Sequence, residues 1–504
     1  MSMNRNIWIL IMGVLFFQAC LDDEGNYSYS ELQPIEIDSS GIADSYRVTQ
    51  LDYLIIDPGV KQGGDDSNLA YEWKIFQGTG MPNTETGKVV NDVVGQERKL
   101  NYKVTIPAGE YTLAFTVTDK QNGVSEVLSR KLNIESFAPV GLMIMHGDSD
   151  STDVSILVNN RVVADVDKDE VKHNIFSMTN GHRAPGIPGR VGYVMNTHNV
   201  YVYTQGAHGG FRTRGSDMGI LDTYAEMFTD RMPDSEINFQ GYGQWSYNDL
   251  LINGGKLYFV SQATTTFTKF GVPIFGEDYY AEPFIGTQER GYYFGVFYDK
   301  LQRRFLYING QQVLKTFKDA GASAAFNMNN VGEDMVYAEH GFEKKWYCVM
   351  RDPEVVTDYS IYVCNLEAFD DGNRGVGKYS ASGCTDMKDA KAFAVGNRAE
   401  ILYYATATEV KQCDFKQTGN AISRYRLDDE LVREGYEITA MHLFKVSGNA
   451  NEGKLLYVGI YNEASGEGKL LECPIVETSG EILSDRIKIY DGFKKIAHMS
   501  YKSK

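Results

Sequence analysis

Seven short apolar strands recur along this chain at spacings near fifty residues, and no other feature limits its possible fold so strongly. Ile156 lies at the centre of Val154-Ser155-Ile156-Leu157-Val158, and the matching centres are Tyr201, Tyr258, Tyr307, Tyr347, Tyr403 and Tyr457. The intervals are 45, 57, 49, 40, 56 and 54 residues. Each unit is a polar turn feeding an apolar strand and then a second strand. Such a unit cannot bury its own faces, and a ring of stacked units is the signature of a β-propeller. A propeller of about seven blades is therefore expected over residues 137–504. The units are degenerate, so six and eight blades stay open, and two packed β-sandwiches are the competing arrangement. Ile487–Tyr490 and Ile496–Met499 are expected to supply the strand that closes the ring against Leu142–Met145.

Composition points the same way. The 33 Tyr and 25 Phe suit pleated, half-buried surfaces, and 50 Gly supply turns between short strands, so the chain reads as all-β. A net charge of −18 argues against nucleic acid as a partner and against an electrostatic grip on anionic headgroups.

Residues 45–136 have a different texture. Leu69–Phe76 alternates as a strand that buries one face around Trp73. Pro107–Asp119 places Tyr111, Leu113, Phe115 and Val117 on one face, and Gln121-Asn122-Gly123 turns it into another strand ending near Ile134. A Tyr-x-Trp strand followed by Ala-Gly-x-Tyr-Thr-Leu-x-Phe-x-Val-x-Asp resembles the PKD domain, which implies an immunoglobulin-like β-sandwich serving as a spacer. Phe76-Gln77-Gly78-Thr79-Gly80 replaces the usual glycine- and aspartate-rich stretch, so the resemblance is to a divergent, PKD-like version. The junction Ser136-Phe137-Ala138-Pro139 is expected to be open to proteases.

At the start of the chain, Arg5 precedes an apolar run from Ile7 to Phe17, the length of a signal-peptide core and too short to span a bilayer. Leu15-Phe16-Phe17-Gln18-Ala19-Cys20 resembles the lipobox of bacterial lipoproteins, although Phe17 stands where Leu is usual. That resemblance implies cleavage before Cys20 and acylation of it, with residues 1–19 as signal peptide and 20–44 as an acidic spacer. Asp22, Asp23 and Glu24 resemble the surface-export signal of Bacteroidetes lipoproteins. Acyl chains on Cys20 would hold the protein in the outer membrane, facing outward.

No catalytic, metal or cofactor site assembles from the sequence. His182, His198 and His208 share a Gly-rich region, but their spacing fits no zinc motif. Asp165-Val166-Asp167-Lys168-Asp169 begins like a calcium loop but lacks its glycine and has Phe176 where the bidentate glutamate belongs. Beyond Cys20 there are five cysteines, Cys348, Cys364, Cys384, Cys413 and Cys473, an odd number. Cys348 and Cys364 read as lying on neighbouring strands, where a disulfide and two buried thiols are both open. The candidate ligand-binding residues are Tyr242, Trp245 and Tyr247, with Tyr279, Tyr280 and Phe284 in the next long connection. Aromatic faces suit sugars or peptide side chains, and packing between blades is the alternative.

Together the lipobox, the PKD-like strands and the repeats resemble the PKD-like lipoproteins of Bacteroidetes, encoded beside SusC- and SusD-like import proteins. The resemblance implies a non-enzymatic accessory subunit of such an importer that captures oligopeptides or glycans. A propeller hydrolase that trims the same nutrients, and an independent surface adhesin, are the alternatives.

Overall fold

The computed structural model describes residues 34–503, apart from 63–65, 79, 84, 196, 207, 230–238, 246–247, 262–268, 288–292, 310–312, 320, 322–323 and 368–373. Cys20, Asp22, Asp23, Glu24 and Tyr247 lie outside the described residues.

The chain is all-β, with a PKD-like N-terminal domain followed by a propeller-like region. In the first domain a five-stranded sheet runs in the order Ser45–Thr49, Ser125–Glu135, Gly109–Asp119, Leu69–Phe76, Asn91–Gly95. The hairpin at its centre turns at Gly123, whose φ of +74° suits a residue without a Cβ. Tyr53–Ile56 and Leu100–Lys103 form a smaller pair whose Leu54, Ile56 and Leu100 share one core with Trp73, Leu113, Phe115 and Val117. Trp73 stacks on Phe115 with centroids 4.3 Å apart, and its indole N–H donates to the Glu97 carbonyl at 3.0 Å. Burying the ring while keeping its one donor bonded makes it an effective core anchor.

Among the described residues, the strands beyond Gly141 fall into seven sheets, each a chain of antiparallel neighbours. Their first strands are Lys495–Lys502, Ile187–Val194, Phe239–Trp245, Gly295–Asp299, Asp334–His340, Ala392–Val395 and Tyr436–Leu443. Neighbouring sheets share hydrophobic clusters, and one cluster brings Tyr457 and Leu470 of the seventh sheet against Leu142 and Ile144 of the first. Each central strand is therefore covered on both faces. In Trp346–Arg351, Tyr347 and Val349 pack toward the sixth sheet, while Trp346, Cys348 and Met350 pack toward the fourth. This explains why these strands read as unbroken apolar runs.

The closing strand is Lys495–Lys502, which sets Tyr501 opposite Leu142 and Met499 opposite Ile144. Ile487–Tyr490 belongs instead to the outer strand of the seventh sheet, beside Glu467–Pro474. Five of the seven aligned centres occupy the second strand of their sheet, but Ile156 and Tyr258 occupy the third. Adjacent strands in such a meander are equally apolar, so the pattern does not tell them apart.

The cysteines beyond Cys20 are free, buried thiols. Cys348 faces Tyr362 and Cys364 faces Trp346, which places the two diagonally rather than opposite one another. Burial pushes the Cys348 thiol well above its ordinary value, leaving it inert.

At the junction between the two parts Ser136 is exposed, but the residues after it are held by contacts on both sides. Ala138 is fully buried and its N–H donates to the Ser216 carbonyl at 2.7 Å. Gln50 of the first domain donates to Asp217 Oδ2 at 3.2 Å and accepts from the Phe137 N–H, while the Ser216 hydroxyl donates to Glu85 Oε2 at 2.6 Å. Packing of this segment on the second sheet overrides the exposure expected from its composition.

Candidate functional site: a polar cavity where the inner strands meet

A cavity of about 720 Å³ opens where the first strands of the first, second, fifth, sixth and seventh sheets converge. Those strands carry one repeated irregularity. In the second, fifth and seventh sheets an extra residue, respectively Gly189, Val336 and Thr439, interrupts the pairing, and in the first sheet Ala497 does the same. In the second, fifth and seventh sheets the bulged strand precedes the aligned tyrosine, and the bulge lies opposite the second and third residues past Tyr201, Tyr347 and Tyr457. A bulge re-aims the side chains beside it and strengthens the local twist. Its neighbours Arg190, Tyr337 and His498 line the cavity.

The fourth sheet contributes through an irregular segment. Gly286 bridges Val296 and Ala281 bridges Asp299, so residues 281–286 run along the inner edge of Gly295–Asp299. This brings Phe284 beside Tyr337, with centroids 5.4 Å apart, and Tyr337 stacks in turn on Phe393 at 5.2 Å. Tyr337 and Phe393 border the cavity, and Phe284 packs against Tyr337.

The one carboxylate among the described residues lining the cavity belongs to Glu339, and it is fully engaged. Lys445 Nζ lies 2.6 Å from Oε1, the Val395 N–H donates to Oε2 at 2.8 Å, and the Tyr337 hydroxyl donates to Oε2 at 3.0 Å. Burial pushes this carboxyl up, but Lys445 and the N–H donor overcome it and hold it below the usual range. Glu339 and Lys445 therefore form a neutral pair.

Arg190 is different. It forms no ion pair among the described residues; its guanidinium makes a long contact of 3.4 Å to the Pro283 carbonyl and lies 5.9 Å from the Phe284 ring centre. Burial lowers its affinity for the proton, yet arginine stays charged in proteins.

The histidines are neutral. His498 Nδ1 accepts the Val191 N–H at 3.4 Å, which leaves the proton on Nε2. His340 Nε2 accepts the Thr287 N–H at 2.9 Å while its Nδ1 bonds the Lys344 carbonyl. Burial drives His498 well below its ordinary value and brings His442 down to about 4. The cavity wall thus carries the Arg190 charge outside any ion pair among the described residues, the exposed Lys391, neutral imidazoles and the Tyr337 and Phe393 rings.

The residues nominated from the sequence are dispersed. Tyr242 and Trp245 lie on the first strand of the third sheet, and their side chains are outside the described residues. Tyr279 is buried: its hydroxyl donates to Ile274 O at 3.0 Å and accepts from Leu257 N–H at 3.1 Å. Tyr280 is half-buried, with the Lys300 ammonium 4.9 Å from its ring centre. Phe284 alone of this group packs against residues that line the cavity, Tyr337 and Arg190. The sequence reading missed Arg190, Glu339, His442 and His498. A signal was present: Glu339 and His442 face the aligned centres Tyr347 and Tyr457. The same position is Gly192, Val296 and Ala394 in the second, fourth and sixth sheets, so the signal is confined to two strands.

Residues 20–188 match the PKD-like family, so the chain carries a PKD-like N-terminal domain. No curated protein sequence matches the chain. Among solved structures, a quinonprotein alcohol dehydrogenase-like protein from Bacteroides thetaiotaomicron is similar at 12% identity and a TM-score of 0.47, over 93% of this chain and 99% of that one. A DUF4784 family protein from Bacteroides caccae is similar at 8% identity and a TM-score of 0.30, over 94% and 99%. At these identities neither resemblance bears on activity.

Proposed function

We propose that this protein is a surface-exposed lipoprotein in which the PKD-like domain is a β-sandwich spacer and the seven sheets are the blades of a closed propeller that binds a ligand at its centre. Acyl chains on Cys20 anchor it in the outer membrane, and Asp22, Asp23 and Glu24 direct it outward. It serves as a non-enzymatic accessory subunit beside SusC- and SusD-like import proteins, capturing oligopeptides or glycans. The observation that supports a binding head is the cavity itself, where bulged inner strands of several sheets turn polar side chains inward around aromatic rings. Hydrolysis is disfavoured, because a glycosidase needs two free carboxyl groups and Glu339 is fully bonded to three donors.

Two measurements test the reading. Cys20→Ala is expected to release the protein from membranes, and protease added to intact cells is expected to digest the wild type. A mild-detergent pull-down is expected to recover SusC- and SusD-like proteins with the wild type and less of them with Cys20→Ala, because tethering raises effective concentration. Recovery of the protein alone, while the SusC–SusD pair survives, favours an independent adhesin.

A further inference from the structure

We infer that the central cavity is a receptor for a single carboxylate group, with the Arg190 guanidinium as its anchor and the His498 Nε2–H as a second donor. The inference rests on the cavity being the binding site and adds the chemical class of what it binds.

Charge decides the sign of the ligand. Glu339 and Lys445 cancel at 2.6 Å, and the histidines are neutral, while the Arg190 charge on the cavity wall stands outside any ion pair among the described residues. Lys391, exposed and lining the same cavity, adds a second cation toward solvent. A charged group held in a low-dielectric site without a partner is costly, and a ligand anion removes that cost. Geometry narrows the class. The guanidinium is a planar fork matched to a two-oxygen anion, whereas a dianionic phosphate calls for more positive charge than one arginine beside neutral imidazoles supplies.

Two further groups on the wall have unfilled hydrogen-bonding capacity. His498 uses only Nδ1 toward the protein, and the His442 ring makes no hydrogen bond among the described residues. The Tyr337 and Phe393 rings, which line the cavity, offer apolar faces to the remainder of the ligand. A cavity of about 720 Å³ is in the range that encloses a small oligomer rather than a single residue. Two sources fit that chemistry: a glycan containing an acidic sugar, and the C-terminus of an oligopeptide.

The test uses full-length protein and four probes by isothermal titration: tri-galacturonic acid and its methyl ester, and tetra-alanine and its C-terminal amide. One acid is expected to bind at least tenfold more tightly than its neutral partner, and which pair responds identifies the source. Arg190→Gln is expected to abolish that preference, and Arg190→Lys, which keeps charge but loses the fork, to leave a reduced one. Circular dichroism at matched temperature confirms that both variants are folded. Absence of any acid preference, including absence of binding by every probe, overturns the inference, as does a preference that survives Arg190→Gln. Failure of the underlying reading is read separately, from Ala497→Trp, which obstructs the cavity at its bulge. Binding of a neutral probe that Ala497→Trp removes leaves the cavity as the site and refutes only its carboxylate preference; binding that Ala497→Trp leaves intact places the site elsewhere.

Discussion

Asn159 of the first sheet donates through Nδ2 to Glu472 Oε2 of the seventh at 2.9 Å, inside a fully buried contact between residues 313 positions apart. The Tyr457 hydroxyl donates to the same oxygen at 2.9 Å and Arg161 Nη1 lies 2.8 Å from the other. Truncation of the carboxylate removes the buried acceptor of Asn159 and Tyr457, whereas Arg161, 39% exposed, can turn to water. Glu472→Ala is expected to lower unfolding free energy by about 1–3 kcal/mol, the cost of a buried donor left without its acceptor, and Glu472→Gln, which retains volume and one acceptor, by less. Guanidinium denaturation checks the order. An unchanged midpoint for Glu472→Ala means that the network does not join the two sheets.

Acid is expected to destabilise the protein from below pH 6.5 downward. His146 Nδ1 accepts the Lys494 N–H at 3.2 Å and its Nε2 meets Ser155 Oγ at 2.8 Å, and burial brings its value down to about 3, helped by the nearby Arg183, His173 and Lys494. His442 comes down to about 4 through burial. Unfolded histidine titrates near pH 6.5. The unfolded state therefore binds more protons between pH 6.5 and about 3, and stability falls as pH falls through that window. In urea titrations at stepped pH, His146→Gln is expected to flatten this limb by up to one proton. An identical slope in wild type and variant assigns the acid sensitivity to other groups.

The junction yields a third expectation. Ser216 donates to Glu85 Oε2 at 2.6 Å across the two parts, and burial pushes the Glu85 carboxyl up against the pull of that hydrogen bond. Glu85→Ala is expected to loosen the contact and admit protease to residues 136–140, whereas Glu85→Gln keeps an acceptor and protects them. Time courses of limited digestion separate the two variants; equal cleavage rates dismiss a clamp.

Gly459 reports on the closing strand. A Cβ there would sit 2.9 Å from Ile496 Cβ. Gly459→Val is expected to cost about 1–3 kcal/mol by overpacking and to speed amide exchange over Lys495–Lys502. Wild-type exchange in that strand shows that the neighbour yields without loss of pairing.

The sequence revealed the repeat because both faces of each central strand are buried, which leaves runs such as Trp346–Met350 with no polar interruption. It revealed the PKD-like hairpin because Tyr111, Leu113, Phe115 and Val117 bury one face, as an alternating pattern should. It did not reveal the cavity. Arg190, Glu339, His442 and His498 lie on four separate strands, and their neighbourhood exists only once the sheets converge. The aromatic residues drew attention instead, yet Tyr279 shows why tyrosine is a poor guide here: its hydroxyl is satisfied by backbone within its own sheet region.

The pairing of Lys495–Lys502 with Gly141–Gly147 ties the cavity to the order in which the chain is made. A polypeptide leaves the ribosome amino end first, so Gly141–Gly147 waits with a bare edge while more than three hundred residues follow it. Until the last strand arrives, that edge is open to any extended segment nearby, including one from another copy, and His498 and Ala497 are missing from the wall. A prematurely terminated product would thus keep its N-terminal domain but lack the strand that completes the cavity wall.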